Sequence, residues 1–243
     1  MVELVFSPEW FYGKDIFIDI FSIVIPVLIG LFCISYYRLS KNKDYIYLTS
    51  SFMLIAAAFL FKILTNITIY YDVFFTRTIG LVTYTFKTVK SSDALIIIGI
   101  LLFRLLMILG FYVLYVTADK QNKDNTIKSW INQIFIIYLL AITVLLSQYN
   151  YLVFHITSLL LSMMITYKFY LVYRKNKSNT TGLIAISFGV IALSQLIFSF
   201  VKVNIGSYVI GEIVQLIGYV TLLVSFILVR KHGKKKKQDR YHK

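Results

Sequence analysis

The sequence predicts an all-α fold: a polytopic bundle of seven transmembrane helices, with the N-terminus outside and the C-terminus in the cytoplasm. Three observations carry this. The 243-residue chain is 58% hydrophobic and 15% charged, with a mean hydropathy of +0.76. A soluble domain carries about a quarter charged residues, so this chain has too little polar surface to coat itself in water. Seven apolar runs are each long enough to cross a bilayer as a helix. The basic residues fall almost entirely on one side of those runs, the pattern of cytoplasmic loops.

Residues 1–15 read as an extracellular segment in which Glu3, Glu9 and Asp15 outnumber Lys14. It lacks both the basic start and the small-residue cleavage site of a secretory signal, so the first span is expected to be retained. The single transmembrane domain covers 16–229, with spans at 16–37, 45–69, 94–117, 131–147, 149–173, 183–203 and 207–229. Pro26 lies inside the first span and is expected to kink it. The fourth span is the shortest and suits a tilted or thinned-bilayer crossing. The stretch "SQYN" at 147–150 reads as a tight polar turn separating it from the fifth. Trp10 and Trp130, the only tryptophans, both fall at membrane–water boundaries, where amphipathic rings settle.

Between spans two and three lies an external segment, 72–93, rich in threonine and aromatics. Val82, Tyr84 and Phe86 alternate with Thr83, Thr85 and Lys87, a strand period, and Gly80 suits a turn. A small hairpin or lid and an interfacial loop both fit this pattern. The basic tail 230–243, "RKHGKKKKQDRYHK", is expected to be disordered and drawn to anionic lipid at the inner surface.

Seventeen basic residues flank the spans on the predicted cytoplasmic side and four on the other. The net charge of +14 is therefore a topology signal and does not call for nucleic acid as a partner. A multi-pass protein of the cell (plasma) membrane is expected. Cys33 is the lone cysteine, which excludes intramolecular disulfides and thiol-relay chemistry. No H-E-x-x-H, no strained Gly-x-Ser-x-Gly turn and no clustered acids are present, and only one histidine, His155, lies within a span. The expectation is a protein that is not an enzyme, with no metal and no cofactor.

Polar residues inside the spans form single-face stripes toward the outer half. Glu212, Gln215 and Tyr219 are spaced i, i+3, i+7 on the last span, flanked by Gly211 and Gly218, which let a neighbouring helix approach. Lys62 and Asn66 share a face of span two. Arg104 lies in span three, and His155, Ser158 and Ser162 form a stripe on span five. Gln195, Ser199 and Lys202 do so on span six, and span one offers Asp19. An ionised carboxylate in a bundle interior needs a cation. Glu212 is therefore expected to pair with Arg104 or Lys62, while Lys168 and Lys202 snorkel from span ends. Two readings stay open: a pair that only sets helix register, or an outward-facing pocket for a small polar or anionic ligand. The candidate ligand-binding set is Glu212, Gln215, Tyr219, Arg104, Lys62, Asn66, His155, Gln195 and Ser199. An isolated His155 is expected to be a hydrogen-bonded interior histidine.

The seven spans and their orientation resemble the small seven-helix sensory domains of prokaryotes. The likeness is one of topology across 16–229, with no motif from which a functional residue transfers. A retinal protein is excluded because the last span has no lysine at its middle. The resemblance implies a receptor-like sensor that signals through a separate cytoplasmic partner, since only 14 residues follow Val229. The alternatives are a small-solute transporter and a non-catalytic structural or accessory membrane subunit. Transporters favour Gly/Pro-interrupted helices and repeated halves, whereas these spans are mostly continuous and the chain has two prolines.

Overall fold

A computed structural model describes the backbone of residues 7–70, 75–79, 82–86, 89–120, 137, 141, 143–147 and 150–241. Almost all of it is helical. The helices are α1 (Lys14–Ser40), α2 (Asp44–Tyr70), α3 (Val89–Lys120), α4 (Tyr151–Asn176), α5 (Asn179–Phe198) and α6 (Gly206–Tyr241). Each contains a stretch long and apolar enough to cross a membrane, so the described residues hold six such helices. The expected span at 131–147 lies mostly outside the described residues, as does Trp130; within it, 143–147 is helical.

Local chemistry sets the helix boundaries. α1 stops where Lys41 turns into the left-handed region (φ 57°) and its N–H returns to the Tyr37 carbonyl at 2.8 Å. α4 stops the same way at Lys177 (φ 48°), whose N–H reaches the Tyr173 carbonyl at 2.7 Å. These left-handed caps satisfy carbonyls that the helix end would otherwise strand. Asn150, the last residue of the polar turn read from the sequence, is the N-cap of α4, and its side chain accepts from the Leu152 N–H at 3.0 Å. α5 ends at Phe198, short of the expected residue 203, and 199–203 continue as turns.

Segment 72–93 contains a two-stranded antiparallel hairpin, β1 (Phe75–Ile79) and β2 (Val82–Phe86), with Phe75 opposite Phe86 and Ile79 opposite Val82. One expectation is corrected. The tail does not leave the helix at Val229, because α6 runs on to Tyr241. Lysine, arginine and glutamine are good helix formers, no proline interrupts the run, and cations suit a helix C-terminus.

The helices close into a ring. Each packs against its sequence neighbour, α3 meets α4, and α1 meets α6 to complete the circuit. Their outward faces carry exposed Leu31, Leu60, Ile98, Leu160, Ile186 and Ile217, which suits contact with lipid. The interior holds a large apolar core that includes Ile29, Phe52, Phe59, Phe111, Ile191 and Leu222. A smaller cluster of Phe11, Tyr151, Phe198, Val201 and Tyr208 lies at the end where α1, α4 and α6 begin and α5 stops.

Gly218 permits the close α5–α6 approach. A Cβ there would stand 2.6 Å from Ile191 Cγ1, 3.2 Å from Ile191 N and 3.3 Å from the Ser187 carbonyl oxygen. Two of these are backbone atoms that cannot step aside. At Gly189 the nearest atom, Thr166 Cγ2, is 3.8 Å away, an ordinary contact. Gly218→Ala should therefore lower stability by about 1–3 kcal/mol, whereas Gly189→Ala should be neutral or slightly stabilising. Thermal unfolding of both variants in one detergent checks this; equal midpoints would contradict the close approach.

Candidate functional site

Glu212 is answered by Lys62. The Lys62 ammonium donates to Glu212 Oε1 at 2.5 Å and to Asp19 Oδ1 at 2.8 Å, bridging α6 and α1 from α2. Asp19 and Glu212 are buried at 0% and 1% exposure, so neither charge is shared with water. Of the two cations expected as partners, Lys62 is the one in bonding range. Arg104, also buried, donates to the Ser147 carbonyl oxygen and lies 5.9 Å from the Phe154 ring centroid.

Asp15 extends the network toward the ends of α1 and α2. It accepts from the Tyr70 hydroxyl and, at 3.5 Å, from Asn66 Nδ2. Asp15, Asp19 and Ser22 are all buried and spaced i, i+4, i+7, a single-face stripe of the kind found on the other helices. The sequence carried that signal. Of the three, Asp19 was marked as the polar residue of span one; the stripe was missed because Asp15 falls before the first apolar run.

On the far side, His155 Nδ1 and Gln195 Oε1 are 3.0 Å apart, and the imidazole stacks on Phe198 with centroids at 5.1 Å. His155 is thus a hydrogen-bonded interior histidine, as expected of a lone one.

Between these groups lies a cavity of about 110 Å³. Lys62, Asn66, Arg104, His155, Gln195, Glu212 and Gln215 all line it, from α2, α3, α4, α5 and α6. Two of the nine sequence-derived candidates do not. Tyr219 lies one turn deeper, fully buried, with its hydroxyl 4.0 Å from Met107 Sδ and its ring edge-on to Phe59. Ser199 sits at the end of α5, donating to the Gln195 carbonyl while its own carbonyl accepts from the Tyr151 hydroxyl. The aromatic wall of Phe103, Tyr151, Phe154, Phe198 and Tyr208 was not anticipated. Aromatic residues are so frequent here (20 Phe, 19 Tyr) that sequence alone does not separate wall from core.

The cavity lies between the two apolar clusters. Phe103, Met107 and Phe154 form its side toward the main core, while Tyr151, Phe198, Val201 and Tyr208 cover it toward the helix ends. Lys168, expected to snorkel, instead pairs with Asp119 at 2.5 Å, both partly exposed, and Lys202 Nζ lies 5.3 Å from the Tyr151 ring centroid. Trp10 is exposed, with Lys14 Nζ 5.7 Å from its ring.

Among the described residues no group of three or more His, Cys, Asp or Glu side chains is placed to hold a metal ion. No protein-family model, no curated protein and no solved structure matches the chain.

Removing one member of a buried ion pair leaves an uncompensated charge, typically at a cost of about 3–5 kcal/mol. Lys62→Met should fall in that range because it strands two carboxylates. In an Asp19→Asn, Glu212→Gln background the same change should cost far less, a coupling of about 1–3 kcal/mol. Unfolding midpoints of the four proteins measure the coupling; simple additivity would mean that Lys62 does not bridge the acids.

Proposed function

We propose that the protein is a receptor-like sensor that binds a small polar ligand in the cavity between α2, α3, α4, α5 and α6. In this reading the chain crosses the plasma membrane seven times, the cavity belongs to its extracellular half, and the basic tail lies in the cytoplasm near anionic lipid. Ligand occupancy shifts the helices, and their inner ends pass the change to a separate cytoplasmic protein.

The observation that supports this best is the gathering of buried charged and amide side chains into one layer. Charged, amide and imidazole side chains from five helices converge on the cavity, while the neighbouring layer is filled by Ile29, Phe59, Phe111, Ile191 and Leu222. A pocket with convergent polar groups above a packed apolar floor suits recognition. A transporter needs a polar route onward, and beyond the cavity the described core offers aliphatic and aromatic side chains with scattered buried serines such as Ser51, Ser187 and Ser225 and no buried charge.

The test uses the full chain in lipid nanodiscs, with spin labels at Lys177 and Asp44 near the predicted inner face. A library of small polar solutes is screened for a rise in unfolding temperature, and each hit for a change in the label distance. A solute that does both supports sensing. Saturable uptake of that solute into proteoliposomes would make the protein a transporter, and a library without hits would leave the polar layer a structural device.

A further inference from the structure

A second hollow lies outside the bundle, on the exposed side of the seam between α4 and α5. Leu159, Met163 and Tyr170 form one wall and Gly189, Leu193 and Leu196 the other, around a groove of about 400 Å³. Gly189 leaves it open: no atom of a neighbouring helix stands closer than 3.8 Å to the place a Cβ would take there. At 1.5 Å per residue, Leu159 to Tyr170 spans about 17 Å, close to the roughly 15 Å of half a hydrocarbon core. Beyond its apolar length the groove turns amphipathic and then basic. Tyr167 and Tyr170 are exposed in its wall, and their face of α4 continues through Arg174 and Lys177, both exposed. Met163, Tyr167, Tyr170, Arg174 and Lys177 follow the i, i+4, i+7, i+11, i+14 spacing of a single helix face. The described end of the fourth apolar run does not occupy this face. Thr143 meets α4 at Thr157, 3.3 Å away, and Leu159, Met163 and Tyr170 lie on the opposite half of that helix.

We propose that this groove binds one acyl chain of an anionic phospholipid whose phosphate meets Arg174 and Lys177. Three features select that occupant. The groove runs the depth of one leaflet, whereas a helix of a second copy would need a track through both. Its order of apolar wall, tyrosines and cations matches the order of acyl chain, ester layer and phosphate in a lipid, tyrosine rings favouring the interface between apolar and wet regions. The helices also discriminate between headgroups. Neither α4 nor α5 contains an acidic residue, and the nearby Asp119 is held by Lys168 at 2.5 Å. A phosphate therefore finds cations at this end, while the ammonium of a zwitterionic headgroup finds no carboxylate on either helix. In the orientation proposed above this end faces the cytoplasmic leaflet, where anionic lipid is concentrated.

The test uses the full chain in phosphatidylcholine nanodiscs doped with phosphatidylglycerol that carries a photoreactive diazirine on one acyl chain. Light should attach the probe within 159–170 and 189–196. Unlabelled phosphatidylglycerol should compete for those positions, and phosphatidylethanolamine should not. Arg174→Gln combined with Lys177→Gln should weaken that competition roughly thirtyfold, about fivefold for each cation near a membrane surface. Gly189→Leu, which keeps every charge and fills the groove, should abolish labelling there, and it carries the test if the double variant does not fold. Label spread evenly over all outward faces, equal competition by phosphatidylethanolamine, or unaltered competition in the folded double variant overturns the proposal. So does complete disulfide dimerisation of a Leu193→Cys variant, which would seat a second copy in the groove. The sensor reading survives any of these outcomes, since the interior cavity takes no part in them.

Discussion

A single ammonium held between two carboxylates in a water-poor interior is the constraint on which the arrangement depends. Lys62 comes from α2, Asp19 from α1 and Glu212 from α6. None of the three can be kept charged and buried alone, since ionised groups in hydrocarbon must pair or face water. The bridge therefore dictates which faces of three helices meet, and it lies at the seam where α1 and α6 close the ring. Apolar packing between lipid-facing helices is weakly selective, because tails are as apolar as leucine. The charged bridge adds the selectivity that packing lacks.

Around that bridge the interior is layered. A small apolar cluster at the helix ends, a polar layer with a cavity, and a large apolar core follow one another down the bundle. The polar layer is bounded on both sides by aromatic rings, and the low dielectric around them strengthens the electrostatics within. Close helix contacts below it, such as Gly218 against Ile191, keep the core tight.

Much of this arrangement was legible in the chain. Hydropathy and run length marked the helices now described, because a bilayer core imposes one length on every crossing. Single-face spacing marked Lys62, Asn66, Gln195, Glu212 and Gln215 as neighbours, and all five line one cavity. What escaped had physical reasons. Asp15 sits just before an apolar run begins, so its burial depends on how far α1 extends toward its N-terminus. Tyr219 shares the stripe of Glu212, but a seven-residue step carries it about 10 Å along the helix and into the core. Ser199 keeps the spacing of Gln195, yet α5 has ended there. The pairing of Lys62 with two acids required the order of helices around the ring, which periodicity within one helix does not contain.

The unbroken course of α6 has a mechanical consequence. Glu212 sits near the start of a helix that continues to Tyr241, about 43 Å farther on at 1.5 Å per residue. A rod of that length works as a lever pivoted at the carboxylate. Tilting it by about 5° about that point swings the far tip through an arc of roughly 4 Å. A sub-ångström adjustment at the bridge is thereby magnified at the lysine-rich end, without any joint in between to absorb it.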